Sequence, residues 1–434
     1  ATIQESKGKI KIGTLVVGAP AWKSKQISEG DEILKVQSKK GEEPINVTGM
    51  LVDEAVRFIR GEKGTEVVLT LKKKDGTIKE VKMIREEVAI EDTFARSIII
   101  NGANGKKYGF INLPSFNADF EDAKGRNASD DIKAELIKLK AQNVEGIILD
   151  LRNNGGGSLT EVVDIMGLFM NSGPVVQVKD GNGRVQVMRN KQNDPIWTGP
   201  LVIMQNELSA SASEILAGAM QDYGRAVIVG SPQSFGKGTV QTFVELNRFL
   251  NTSDDFGALK LTIQKFYRVN GKSTQLKGVE SDIPMKDVFS YEEIGERFDN
   301  YALPWDQVNS SSFTVNNSIN VAELAKKSQS RMAQNKFYQL LLESAQWREK
   351  LDKEEKISLN LKEFEAVMKT RKAQIDKFKP LIKYNNGLNF ALHADELARG
   401  KTDEVFAKKS ENWMKNLKRD IYLQETVNII SELK

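Results

Sequence analysis

Through the first 90 positions apolar residues alternate with polar ones in short bursts. These are Lys9-Ile10-Lys11-Ile12, Val67-Val68-Leu69-Thr70-Leu71 and Val81-Lys82-Met83-Ile84, with glycine-containing turns between them. A period of two is that of a strand with one face buried. In the same stretch Val52, Ala55, Val56 and Ile59 recur at helical spacing, and Gly61 ends that helix. Residues 1–90 therefore read as a small β-rich module. Over 91–295 the pattern changes. Val144–Leu151 is an apolar run, a glycine-rich loop follows, and Leu159–Phe169 repeats as a helix. Leu201–Met204 predicts a strand, Glu214–Gln221 a helix and Ala226–Val229 another strand. Strands alternating with helices predict an α/β core with some parallel pairing. From 296 to 434 the chain turns Lys/Glu-rich. Helical spacing recurs in Phe337–Trp347 and Leu361–Met368, after a polar linker over Asn309–Asn317. The expected fold is thus a multidomain one, with a β-rich module, an α/β core around a mixed sheet and a mostly helical C-terminal domain.

Composition narrows the chemistry. The 434 residues hold 63 Lys and Arg against 59 Asp and Glu, a net charge of +4 that calls for no nucleic-acid or anionic-membrane partner. There is no cysteine, so thiol catalysis, disulfides and Cys-ligated zinc are excluded together. The single histidine, His393, leaves little room for a Ser-His-Asp triad or a histidine metal site, and no metal or cofactor is expected. His393 lies in A-L-H-A-D-E-L and reads as a helix residue. No stretch approaches the roughly 20 apolar residues that cross a bilayer. The chain opens on Ala1-Thr2-Ile3 without a basic-then-apolar leader, which reads as a processed form or a fragment.

Two glycine-rich segments imitate nucleotide sites. Gly230–Gly238, G-S-P-Q-S-F-G-K-G, is one residue too long for a phosphate loop and has Gly238 where Ser or Thr should hold magnesium. Asn153-Asn154-Gly155-Gly156-Gly157 lacks dinucleotide spacing, and it reads either as a flexible turn or as bare backbone N–H groups for an oxyanion. Between the strand at 201–204 and the next helix lies Leu208-Ser209-Ala210-Ser211-Ala212-Ser213-Glu214. Its serines either cap the helix or expose a hydroxyl at a tight strand-to-helix junction. Phe235-Gly236-Lys237-Gly238-Thr239-Val240-Gln241 then sets a lysine between two glycines, close to the backbone. Burial favours a neutral amine, which can deprotonate a serine without any histidine. Gln241, four residues on, would orient that amine through its side-chain oxygen without adding charge.

L-S-A-S-A-S-E-I, Q-D-Y-G-R-A-V-I-V-G and F-G-K-G-T-V-Q together resemble the C-terminal processing peptidase family, in its tail-specific branch from bacterial envelopes. The resemblance implies Ser211 as nucleophile, Lys237 as general base and Gln241 as its orienting partner. It adds Asp222, acting on the lysine or supporting the site from behind. It implies an oxyanion hole from the N–H of Ala212 and a glycine among Gly155, Gly156 and Gly157. Ala19-Pro20-Ala21 and Gly30-Asp31-Glu32-Ile33-Leu34-Lys35-Val36 look like a PDZ module, which captures a protein C-terminus as an added β-strand. Its groove would fall at Ala1, Thr2, Ile3 and Val56, with the carboxylate-binding loop lying before Ala1. Ala302-Leu303-Pro304-Trp305-Asp306 and Tyr422-Leu423-Gln424-Glu425-Thr426-Val427 resemble the helical extension of the branch.

These implications predict a periplasmic serine endopeptidase that holds apolar protein tails through its PDZ module. Its partners would be protein substrates and an adaptor lipoprotein, with at most peripheral membrane association. The competing reading is a non-catalytic PDZ scaffold with a helical arm.

Overall fold

The computed structural model describes residues 1–433 apart from 7, 40, 87–92, 103–104, 120–124, 250–255, 317 and 355. The expected boundary at 90/91 and the last residue of the expected linker, Asn317, lie outside the described residues. The chain forms two compact units, Ala1–Glu91 with Asp395–Trp413, and Asp92–Ala394 with Met414–Lys434.

In the first unit β1 (Ile3–Ser6), β2 (Lys9–Ile12), β3 (Glu32–Gln37), β4 (Ile45–Asn46), β5 (Glu66–Lys72) and β6 (Ile78–Ile84) make one antiparallel sheet. The short helix α1 (Pro20–Lys23) and α2 (Val52–Ile59) complete its first stretch of chain. The sheet runs β1-β2-β3-β5-β6, with β4 beside β3, so β1 is an edge strand. Alternation buries Ile10 and Ile12 on β2 and Leu69 and Leu71 on β5. On β3 the two inward residues, Ile33 and Val36, are three apart because the register slips between Ile33 and Lys35, as a β-bulge does. The amphipathic α2 contributes Ala55 to the same core.

The second unit carries the expected mixed sheet. It holds β7 (Arg96–Asn101), β8 (Lys107–Asn112), β9 (Gly146–Asp150), β12 (Leu201–Gln205), β13 (Val227–Gly230), β16 (Ile283–Pro284) and β17 (Asn389–Ala391), in the order β16-β13-β12-β9-β8-β7-β17. Strands β8, β9, β12, β13 and β16 pair in parallel, whereas β7 and β17 are antiparallel additions at one edge. Their apolar runs are buried throughout β9, β12 and β13, as befits strands covered on both faces. Helices α3 (Ala128–Ala141), α4 (Leu159–Gly167) and α5 (Ala212–Asp222) join the strands. A second, four-stranded antiparallel sheet runs β11-β10-β15-β14, from β10 (Gly173–Asp180), β11 (Val185–Asn190), β14 (Thr239–Glu245) and β15 (Ala258–Tyr267).

Past residue 296 lie α6 (Val321–Gln334), α7 (Lys336–Asp352), α8 (Leu361–Ile382), α9 (Ala394–Thr402), α10 (Glu404–Leu417) and α11 (Ile421–Glu432). This region is helical, but it does not stand as a compact unit of its own. Asp395–Trp413 belongs with the first unit and the remainder with the second. Asn389–Ala391 pairs with β7, and α11 seats Ile430 against Gly146 of β9. His393 precedes α9 rather than lying on it. Its Nε2 is 2.7 Å from Ser97 Oγ, which donates at 2.5 Å to Glu135, and all three side chains are buried.

Candidate active site

The parallel strands end at one edge of the sheet, where α/β folds place their ligand-binding loops. Strand β12 runs out at Gln205, and the chain turns through Asn206–Ala210 into Ser211 at the N-cap of α5. Ser211 has φ 56° and ψ −111°, a left-handed conformation that a non-glycine residue adopts only when its surroundings impose it. The side chain is half-buried at the strand-to-helix junction.

What imposes that geometry is Glu214, three residues on, whose side chain is wholly buried. Its Oε2 accepts from Ser211 N at 2.8 Å and from Lys237 N at 2.9 Å. Its Oε1 accepts from Ser234 Oγ at 2.6 Å and Gly236 N at 2.7 Å. One carboxylate thus ties the backbone of the serine to that of the lysine turn. Burial pushes it up to about 7, against the pull of those four donors. The residue was missed as a functional one in the sequence, although Ser-x-x-Glu at a helix start is a capping-box signal.

The Lys237 turn presses against the segment Ser273–Leu276. Gly236 has φ 94°, and a Cβ there would stand 2.9 Å from the carbonyl carbon of Leu276. Leu276 N donates to Gly236 O at 2.8 Å and Gln275 Oε1 accepts from Gly238 N at 2.8 Å. Lys237 is half-buried, and its Nζ donates to Gln241 Oε1 at 3.3 Å, the partner expected for it. Among the described residues no hydrogen bond joins Lys237 Nζ to Ser211 Oγ.

The glycine-rich loop leaves β9 and is fastened to the serine loop at several points. Asn153 N donates to Asn206 Oδ1 and Asn206 Nδ2 to Asn153 Oδ1, each at 2.8 Å. Asn154 O accepts from Ala210 N at 3.0 Å and Ser213 Oγ at 2.9 Å, and Ser209 Oγ donates to Leu151 O at 2.8 Å. Neither these asparagines nor the two outer serines were singled out from sequence, because nothing in their spacing announces a partner some 50 residues away. Gly156 leaves the candidate oxyanion set, since its N–H is committed to Asn154 Oδ1 at 2.9 Å. Gly157, at φ 146°, lies so close to the chain opposite that a Cβ would stand 2.3 Å from Phe116 O. Among the described residues no hydrogen bond uses the N–H of Ala212, Gly155 or Gly157.

Asp222 is at the far end of α5, about 15 Å from the Ser211 end by helical rise. It pairs with Arg268, at 2.5 Å and 3.0 Å, and accepts from Asn270 Nδ2 at 2.7 Å. The expected catalytic aspartate is therefore the buried partner of an arginine and a support of α5, not a contact of Lys237. In the first unit Ala1 and Ile3 line an apolar cavity of about 370 Å³, together with Ile12, Ile59, Met83 and Ile84. Thr2 and Val56 do not line it. Thr2 bonds to Thr14 and Gly13 instead, and Ile59, one turn after Val56, takes the place expected of that residue.

Beside the serine loop Ser290 Oγ donates to Glu207 Oε1 at 2.7 Å. Burial and the neighbouring Asp287 raise Glu207 to about 7, and burial likewise raises Asp287. Among the described residues no group of three or more histidine or carboxylate side chains has metal-binding geometry. No described helix is long and apolar enough to cross a membrane.

Residues 107–285 match the model of peptidase family S41, and residues 289–434 match that of the C-terminal domain of tail specific protease. A tail-specific protease of Haemophilus influenzae is 39% identical over 385 residues, 87% of this chain and 52% of the relative. The carboxy-terminal processing protease CtpA of Bacillus subtilis is 30% identical over 284 residues, 65% of this chain and 54% of that protein. Among solved structures, a PDZ domain of a carboxy-terminal protease from Vibrio cholerae, in complex with peptide, is 35% identical; the match covers 21% of this chain and 93% of that one, with a TM-score of 0.20. The chain spans about half the length of the curated relatives it matches. Residues 107–285 are thus a peptidase family S41 region, and the chain is similar to carboxy-terminal processing and tail-specific proteases.

Proposed function

We propose that this chain is a serine endopeptidase acting through a Ser211–Lys237 dyad on proteins bearing apolar C-termini. The observation that carries the reading is the Glu214 carboxylate, which holds Ser211 N and Lys237 N on the same oxygen. The nucleophile's strained junction and the lysine's glycine-flanked turn are thereby one construction. In this scheme the Lys237 amine leaves Gln241 Oε1, takes the Ser211 proton as Oγ attacks the scissile carbonyl, and returns it to the departing amine. The same amine then activates the water that releases the acyl group. Developing charge on the carbonyl oxygen is met by the N–H of Ala212 and by Gly155 or Gly157, each worth roughly 3 kcal/mol.

The first unit is assigned the role of a PDZ module in an envelope enzyme. A substrate tail adds to the free edge of β1 and buries its last apolar side chain among Ile3, Ile59 and Ile84. Ser211→Ala and Lys237→Ala are each expected to abolish cleavage of an unfolded protein with an apolar tail, and His393→Ala to retain it, as followed by loss of intact substrate on gels. Cleavage by either of the first two variants at the parent rate, or its loss in the third, would overturn the dyad.

A further inference from the structure

Arg152 is the second residue after β9, at the start of the glycine-rich loop. Its guanidinium is held on two sides. Nε and Nη2 donate to the two oxygens of Asp150 at 2.9 Å and 2.6 Å, and Nη2 also donates to Asp420 Oδ2 at 2.6 Å. The side chains of Arg152, Asp150 and Asp420 are 17%, 7% and 14% exposed. A two-pronged contact fixes the plane of the guanidinium, which a point charge cannot do. The third contact ties that plane to a residue 268 positions away in sequence.

Asp420 is itself immobilised. It is the N-cap of α11, its Oδ1 accepts from Leu423 N at 2.9 Å, and its carbonyl accepts from Asn386 Nδ2 at 3.0 Å. Helix α11 is rooted in the core through Leu423, Ile429 and Ile430, all fully buried. On the other side of Arg152 the chain passes at once into Asn153 and Asn154, whose bonds to Asn206, Ala210 and Ser213 hold the glycines and the serine loop in one register. A shift at Arg152 is therefore delivered to the backbone N–H groups that face the reacting carbonyl.

We infer that Arg152, clamped between Asp150 and Asp420, is a positioning residue for the oxyanion loop, and that α11 thereby supplies part of the catalytic geometry. The inference rests on the Ser211–Lys237 reading. It makes the C-terminal segment a component of the site rather than an appendage, because the fixed end of the clamp lies in the region matching the C-terminal domain of tail specific protease.

The test separates the clamp from the helix cap. Serine caps a helix about as well as aspartate but is too short to reach Arg152, so Asp420→Ser removes the clamp and keeps the cap. Asp420→Asn keeps the size and the cap but loses the charge. In the full chain both variants are expected to lower kcat on an apolar-tailed unfolded substrate about 10- to 100-fold, the scale of a small misplacement at a reacting centre, with little change in KM or in the thermal midpoint. Arg152→Lys, which keeps the charge without the fork, should reproduce the loss. Affinity for a peptide aldehyde, which forms an oxyanion on Ser211, should fall alongside kcat, while affinity for the amide of the same sequence should hold. Unchanged kcat, equal weakening of aldehyde and amide, or a loss that tracks the thermal midpoint would each overturn the clamp. Ser211→Ala run in parallel keeps the two failures apart. Residual hydrolysis in that variant sinks the dyad itself, whereas an inactive Ser211→Ala beside a fully active Asp420→Ser sinks only the clamp.

Discussion

Glu214 concentrates more of the site's geometry than any other side chain, and its titration gives that geometry a pH dependence. Burial raises it from its ordinary 4.5 to about 7, and Glu207 moves in the same direction to about 7. A carboxyl whose folded value lies above its unfolded one contributes stability that is fully present below about 4.5 and lost as the pH rises through about 7. For Glu214 the difference corresponds to about 3 kcal/mol. The thermal midpoint is therefore expected to fall between pH 5 and pH 8. Glu214→Gln should melt lower at every pH, since an amide nitrogen cannot accept from the donors around it, but with a flatter profile. Glu207→Gln should flatten the profile without that penalty, because its surroundings press one carboxyl against another. A profile equally steep in both variants would assign the titration to other groups. Asp222 contributes by its pairing with Arg268. Asp222→Ala would leave the Arg268 charge unpaired beneath α5 and is expected to cost about 3 to 5 kcal/mol by chemical denaturation, with stability regained when Arg268 is replaced by Met in the same chain.

Elements with an uninterrupted pattern were legible in the sequence. The runs that became β9, β12 and β13, and the spacing that became α2 and α4, were read at their places because burial on one or both faces leaves a periodic trace. The serine-rich junction and the glycine-flanked lysine stand out in the sequence because small residues crowd around them, whereas the roles of Ser211, Lys237 and Gln241 rest on the family resemblance. What escaped was carried by distant pairing. Asn389–Ala391 is a strand because β7 has a free edge, not because of its own sequence. The Asn153–Asn206 exchange and the Arg268 partner of Asp222 leave no local signal at all. The loop between β9 and α4 allows a direct test of this dependence on neighbours. A methyl group at Gly157 would meet Phe116 O at 2.3 Å, so the loop must move away from the segment that braces it. Gly157→Ala is expected to lower kcat at least 100-fold while α4 and its far-UV circular dichroism persist, the scale of a lost oxyanion donor. A kcat within tenfold of the parent would show that this glycine has no part in shaping the hole.

At the scale of the whole molecule the chain enters the first unit twice, as Ala1–Glu91 and again as Asp395–Trp413. The pattern along the sequence places a boundary near 90, from which removal of residues 1–90 is expected to lower peptide cleavage or uncouple it from the tail sequence. The structure gives that deletion a different outcome. Within the unit Glu404 pairs with Lys25 at 3.0 Å, and Val405 lies so close to Gly18 that a Cβ on the glycine would be 2.8 Å from it. Taking away Ala1–Glu91 strips α9 and α10 of the surface they pack on, so the truncated chain is expected to aggregate or melt early rather than report on tail recognition. Tail capture is better tested at one exposed position. Ile84 borders the apolar cavity and is 49% exposed, so a charge there spares the core. Ile84→Asp should raise KM for apolar-tailed substrates about 10-fold, the effect of losing one good apolar contact, and leave the thermal midpoint near that of the parent. If KM rises equally for a short peptide with no apolar tail, the cavity is not where the tail is held. If KM does not rise for either, the first unit holds substrate by its β1 edge alone, which replacing Glu5 by proline would then expose, since its N–H lies on the outer side of β1, away from the ladder to β2.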